Sequence, residues 1–293
     1  MSRPNISRSP ILVLVCSILL ALSASAQHFQ QVKGTLVRVA AGRNEVFGSD
    51  TKGQVWRYNA NTKAFGKVKG AFLGDIAVGG GTVSQLDEVW GISSTSAAIF
   101  HFNYSTKSFD QVTGSLSQIT VGVGHEDQCH PYEVWGINSG NIFRYDYCAA
   151  QFEQIPGVLT QIAAGGSDVW GLNNGAVFHY SFSLQEFVQL TGGTLAQIAV
   201  GVNDVWGINS GQEVFRFDPN TNNWVQAGAN VEQVAAGGDG AWLVTSSDGV
   251  YRFDSSSESF VEVTGSLKSI AVGSGAGIFG VNSANQVFTW VRP

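Results

Sequence analysis

His28-Phe29-Gln30-Gln31-Val32, near the start of the chain, has the form aromatic-x-Gln-Val. Six later segments are built alike, anchored at Phe65, Phe109, Phe152, Phe187, Trp224 and Phe260. Each of these six follows a segment related to Phe143-Arg144-Tyr145-Asp146, but the first has no such segment before it. At the other end, Val287-Phe288-Thr289-Trp290 is a segment of that second kind with nothing of the first kind after it. The chain thus opens with the closing piece of a repeat whose other pieces stand at its end. In an open solenoid this offset would serve nothing. In a closed ring it lets the two chain ends complete one unit together.

Working outward, four segment types recur: A (Ile-Ala-Val-Gly), B (Val-Trp-Gly-Ile-Asn), C (Phe-Arg-Tyr-Asp) and D (Phe-x-Gln-Val). The B anchors are Phe47, Trp90, Trp135, Trp170, Trp206, Trp242 and Phe279, at spacings of 43, 45, 35, 36, 36 and 37. Each segment is short, rich in β-branched and aromatic residues, and bounded by turn residues, as strands are. Lys52-Gly53, Ser139-Gly140, Asn174-Gly175, Ser210-Gly211 and Asp248-Gly249 supply hairpin turns between B and C. Pro219 in Asp218-Pro219-Asn220-Thr221 suits the second position of a C–D turn. Repeats of this length and strand content predict an all-β fold, a seven-bladed β-propeller of four-stranded antiparallel blades. The last blade is closed by the N-terminal strand in a three-plus-one arrangement. The units run over residues 36–71, 72–115, 116–157, 158–194, 195–229, 230–265, and 266–293 with 27–35. The B tryptophans read as core filling between blades. The glycine after each of them (Gly91, Gly136, Gly171, Gly207, Gly280) reads as room for an adjacent backbone, and unit six departs with Leu243.

Residues 1–26 read as a secretory leader. Arg3 and Arg8 form a basic start, an apolar run follows from Ile11 to Leu22, and Ala24-Ser25-Ala26 is a cleavage site. The expected location is secreted or periplasmic, with no membrane insertion after cleavage, and 27–293 form the propeller. The chain carries 16 basic and 22 acidic residues. Loss of Arg3 and Arg8 leaves 14 basic residues and a net charge of −8. An acidic chain without a basic run argues against nucleic acid as a partner, since that binding rests on phosphate neutralisation.

Two motifs point to a family. Gln161-Ile162-Ala163-Ala164-Gly165 with Val169-Trp170-Gly171-Leu172-Asn173 is one. Gln197-Ile198-Ala199-Val200-Gly201 with Val205-Trp206-Gly207-Ile208-Asn209 is the other. With Phe143-Arg144-Tyr145-Asp146, they resemble the tectonin family over essentially the mature chain. The resemblance implies a β-propeller lectin that binds glycans at several repeated sites.

Cys129 and Cys148 lie in the A–B and C–D connections of unit three, which emerge on one face of an up-and-down blade. In an oxidising compartment they are expected to form a disulfide. Units two and three carry long A–B loops, Gly79 to Glu88 and Gly122 to Glu133. The second holds His125-Glu126-Asp127-Gln128-Cys129-His130. Its histidines are five apart, not the four of a zincin helix, and Pro131 follows, so it reads as a pinned solvated loop without a metal.

No nucleophile elbow, phosphate loop or dinucleotide fingerprint is present, and no cofactor is expected. Asp87, Glu88, Glu133, Asp168, Asp204 and Asp239 recur once or so per unit in the A–B turns. Arg57, His101, Arg144, His179, Arg216 and Arg252 recur on the C strands. Acid and base can bridge each other, or both can serve sugar hydroxyls beside an aromatic face. The candidate glycan contacts are Glu88, Glu133, Asp168, Asn173, Asp204, Asn209, Arg144, Arg216 and Arg252. The expected protein is a monomeric, non-catalytic lectin recognising surface glycans multivalently. The alternative is a protein-interaction scaffold using the loops of units two and three. A secreted hydrolase is the third reading.

Overall fold

The computed structural model describes residues 27–125 and 127–292. The expected leader, 1–26, and Glu126 of the histidine-bearing loop lie outside the described residues. The described chain forms 27 strands and no helix.

Unit three shows the plan. Gln118–Val123, Tyr132–Asn138, Asn141–Asp146 and Gln151–Val158 pair in that order, each antiparallel to the next. Among the described residues the pairings group the strands into seven such four-stranded sets. Ala64–Gly79 is continuous and serves as strand D of unit one and strand A of unit two. The seventh set joins Ser269–Val272, Ile278–Val281 and Gln286–Val291 to His28–Thr35, with Phe29 opposite Trp290 and Val32 opposite Val287. The offset read at the two chain ends is this joint.

Cores lie between units. Each B anchor packs on the C-strand aromatic of the following unit: Phe47 on Phe102, Trp90 on Tyr145, Trp135 on Tyr180, Trp170 on Phe217, Trp206 on Phe253 and Trp242 on Trp290. Phe279 packs on Tyr58 at 4.9 Å, carrying the pattern from unit seven back to unit one. Edge-to-face pairs of this kind contribute about 0.5–1.5 kcal/mol each beyond the area they bury. The tryptophans therefore hold the ring together, as the sequence suggested.

The glycine after the anchor has a second reason beside the one expected. Its nearest neighbour is a leucine of the same unit, and the expected backbone follows close behind, with the Gln118 carbonyl 2.9 Å from a Cβ on Gly136 and the Asp75 carbonyl 3.0 Å from one on Gly91. A Cβ on Gly171 would lie 2.4 Å from Leu159 Cδ1, and one on Gly207 would lie 2.3 Å from Leu195 Cδ1. Unit six exchanges both partners, with Val231 in the leucine place and Leu243 in the glycine place, and both are buried in one core. The smaller residue on one strand makes room for the larger on the other, which conserves volume.

A belt of glutamines lines the inner strands. The side-chain carbonyls of Gln118, Gln161, Gln197 and Gln233 accept the backbone N–H of Ile162, Ile198, Val234 and Ile270 in the next unit, at 2.8–2.9 Å. The equivalent places in units one and two hold Arg38 and Asp75, which pair at 3.3 Å. Burial pushes the Asp75 carboxyl above its ordinary range, although Arg38 and the N–H groups of Ile76 and Ile119 pull the other way.

Candidate functional site in the clefts between units

The two-residue step from acid to ring on strand B, and the B–C register, repeat around the fold. They assemble Glu45, Phe47 and Arg57 in unit one; Glu88, Trp90 and His101 in unit two; and Glu133, Trp135 and Arg144 in unit three. Units four and five contribute Asp168, Trp170 and His179, then Asp204, Trp206 and Arg216. Unit six keeps Trp242 opposite Arg252 but has Gly240 for the acid. Two acids grouped with these by sequence stand apart. Asp87 lies one residue earlier and, 1% exposed, accepts the backbone N–H groups of Arg43, Asn44, Glu45 and Gly81 at 2.6–3.1 Å. Asp239 accepts Arg292 Nη2 at 2.6 Å. Glu45 was missed, although its offset of two from Phe47 was there to be read.

In the first three units the set is closed upon itself. Glu133, wholly buried, accepts Arg144 Nε at 3.0 Å, Arg144 Nη2 at 2.6 Å and Trp135 Nε1 at 2.7 Å. The Arg144 guanidinium lies between the rings of Trp135 and Phe182. Arg57 binds Glu45 through Nε and Nη2. Glu88 accepts Trp90 Nε1 and Tyr147 Oη at 2.8 Å, and His101 Nε2 stands 2.7 Å away. Burial alone would raise the Glu88 carboxyl, but His101, Tyr147 and Trp90 outweigh it and hold it below its ordinary value. The lid over each cleft comes from the following unit, two residues past its C-strand aromatic: Tyr104, Tyr147 and Phe182. Tyr104 Oη donates to the Asp87 carbonyl at 2.7 Å. Burial pushes both tyrosine hydroxyls far above their ordinary value, which keeps them as donors.

In the next three clefts the lid position holds Pro219, Ser255 and Arg292. Between units four and five a cavity of about 260 Å³ is lined by Asp168, Trp170, His179, Asp204, Phe217 and Pro219 among others. His179 stacks on Trp170 at 4.5 Å, with Nε2 2.9 Å from Asp168 Oδ1. This contact holds the Asp168 carboxyl below its ordinary value although the side chain is 51% exposed. The Trp170 Nε1–H is buried beside Asp168 and adds to the pull that holds this carboxyl ionised. In the next cleft Arg216 lies between Trp206 and Phe253, and Asp204 accepts Trp206 Nε1 at 2.8 Å. Neither Arg216 nor Arg252 forms an ion pair with a described residue.

The nine candidate glycan contacts therefore do not form one kind of site. Glu88, Glu133 and Arg144 are committed to each other's networks. Asp168, Asp204 and Arg216 reach open clefts. Asn173 ends its B strand and Asn209 directly follows its own, both at the B–C turn on the face opposite the acids, and Asn209 is used there by Gly211 and Glu213 of its own turn. Cys129 and Cys148 form the expected disulfide, which ties the A–B loop of unit three to its C–D turn. Asp146 lies beside them, but joined sulfurs offer no thiolate to an ion. The two loop histidines diverge: His130 Nδ1 contacts Asp127 Oδ2 at 2.6 Å, whereas His125 stacks on Phe182 at 3.7 Å.

Four-stranded sheets arranged in a ring, packed face to face on aromatic cores with clefts at their junctions, define a β-propeller. The model of the Tectonin domain matches residues 20–192 and 194–292, and the chain belongs to the tectonin family. No curated protein matches it significantly. Among solved structures, U3-55K shares 9% identity, covering 90% of this chain and 98% of its own, with a TM-score of 0.66. YCF48 from Cyanidioschyzon merolae shares 12%, covering 91% and 99%, with a TM-score of 0.63. Human WBSCR16 shares 12%, covering 89% and 88%, with a TM-score of 0.64. At these identities the likeness concerns the fold.

Proposed function

We propose that the protein is a secreted, non-catalytic lectin whose glycan contacts lie in the open clefts of units four to six. The observation that carries this reading is the cleft between units four and five. It offers the part-exposed Phe217 ring and the exposed Pro219 to sugar C–H surfaces. It also offers an exposed carboxylate and a part-exposed histidine to hydroxyls. Saccharide recognition needs this mix of aromatic faces and fixed polar groups. The family supports it, and the disulfide is consistent with an oxidising compartment. Several weak clefts on one rigid ring gain avidity on a dense polysaccharide surface. A broad glycan array at high protein density is the test. A hit that weakens about tenfold on Asp168→Asn supports the reading, and silence on every sugar overturns it.

One observation favours the scaffold reading. On the long A–B loop of unit two, Val83 is 89% exposed and Leu86 54%. Apolar residues raised on a loop mark interaction sites. If a protein binds there, replacing both with Ser abolishes its capture and spares sugar binding.

A further inference from the structure

The acidic net charge conceals a basic arc. Of seven lysines, Lys33, Lys63, Lys67, Lys69 and Lys107 lie on the outer strands and C–D turns of units seven, one and two. In these units the outer strands pair with each other. Lys33 is paired in parallel with Ala64, next to Lys63, and Lys69 with Ser108, next to Lys107. All five are exposed, and none forms an ion pair with a described residue. The acids nearby are already engaged: Glu45 by Arg57, Asp75 by Arg38, and Asp110 by Asn103 Nδ2 at 2.8 Å.

Two of these lysines line a groove. Between units one and two a cavity of about 570 Å³ is bordered by Lys67, Lys107, Asn44, Asn59, Thr62 and Phe65. The repeat supplies its own control. Between units five and six the same groove measures about 510 Å³, with Gln226 and Glu258 in place of Lys67 and Lys107. One backbone shape thus carries a basic lining at one junction and an acidic one at another. Around units three to six the rim carries Glu153, Glu186, Asp218, Asp254 and Glu258, all of which repel an anion.

We propose that the groove between units one and two binds an anionic saccharide, through carboxylate or sulfate groups held by Lys67 and Lys107. Lys33, Lys63 and Lys69 extend the field along the rim, so a polymer is favoured over a single sugar. Asn44, Asn59 and Thr62 supply hydroxyl partners, and Phe65 an apolar floor. This rests on the reading of the chain as a saccharide binder but uses a different groove from the clefts of units four to six.

The test titrates the mature protein with sulfated dextran, polygalacturonate and neutral dextran of matched length, at 50 and 200 mM salt. The two anionic polymers separate sulfate from carboxylate as the recognised group. Binding to at least one, weakening with salt and falling about a hundredfold in Lys67→Gln/Lys107→Glu, is expected, because each of the two lost charge-assisted contacts is worth about tenfold. Transfer of polyanion binding to the other groove by Gln226→Lys/Glu258→Lys gives a gain that misfolding cannot produce. Equal affinity for neutral dextran overturns the proposal, as does indifference to both double variants. Equally tight binding of a single-stranded oligonucleotide or phosphatidylserine vesicles overturns the saccharide assignment. Array silence with lysine-dependent polyanion binding would remove the open clefts as sugar sites and leave this groove standing. Array hits without polyanion binding would do the reverse.

Discussion

Units one to three and units four to six share a backbone plan and differ in what they leave unsatisfied. In the first group, acid, ring and base bond to one another, and an aromatic from the next unit covers them. In the second, the lid is Pro219, Ser255 or Arg292, and polar groups remain without partners. The rims differ too. The residue after the D-strand anchor is Gly66, Asp110 or Glu153 in the first group. In the second it is Val188, Val225 or Val261, exposed by 39%, 54% and 47%. The loop insertions and the disulfide sit on the closed side. A repeat can thus assign structural duty to some copies of a residue set and leave other copies for ligands, at the cost of one side chain per junction.

The contrast can be broken most forcefully by removing the base from each kind of cleft. Arg144→Ala strands the wholly buried Glu133 carboxylate and is expected to cost about 3–5 kcal/mol. Arg216→Ala, which removes no ion pair, is expected to cost about 1 kcal/mol through lost ring contacts. Urea denaturation of the two variants measures the difference, and equal losses would erase the distinction. Next in size, Cys148→Ser opens the 19-residue loop of unit three and is expected to lower stability by about 3 kcal/mol. The oxidised parent under the same titration is the reference. A smaller effect depends on pH. The Glu88 carboxyl is held below its ordinary 4.5, so its stabilisation is present above that value and fades as pH falls through the folded value. Thermal melts between pH 3 and 7 should show an acid loss that Glu88→Gln lacks. Smallest, Asp75→Gln extends the inner belt to unit two and removes a carboxylate that burial disfavours. It should gain about 1 kcal/mol, or 2–4 °C, at pH 7. The gain should shrink as pH falls through the raised value at which Asp75 takes up its proton in the parent.

The ring joint was legible because it depends on phase. A D segment without a C before it needs no knowledge of packing. The disulfide was legible from its two connections and the leader expected over residues 1–26, and the tryptophans from their periodicity. Which clefts are open was not legible. That depends on residues such as Tyr147 and Pro219, which lie in variable C–D turns and act on the unit before their own. Nor did periodicity distinguish Asp87 from Glu88, since one residue of offset turns a cleft acid into a backbone anchor. Asn173 and Asn209 repeat as faithfully as the acids, but strand length carries them to the opposite face. The basic arc was invisible for a related reason. Its lysines are spread over 75 positions and meet only where outer strands of three units come together.

The open cleft between units four and five carries the account, and Pro219→Tyr tests it most directly by installing the lid that Tyr104 and Tyr147 provide elsewhere. The measurement is calorimetric titration of the strongest array ligand into the parent and into this variant, with matched thermal melts. The account predicts at least a tenfold loss of affinity with the melting temperature unchanged. Undiminished binding by a folded Pro219→Tyr protein would contradict it.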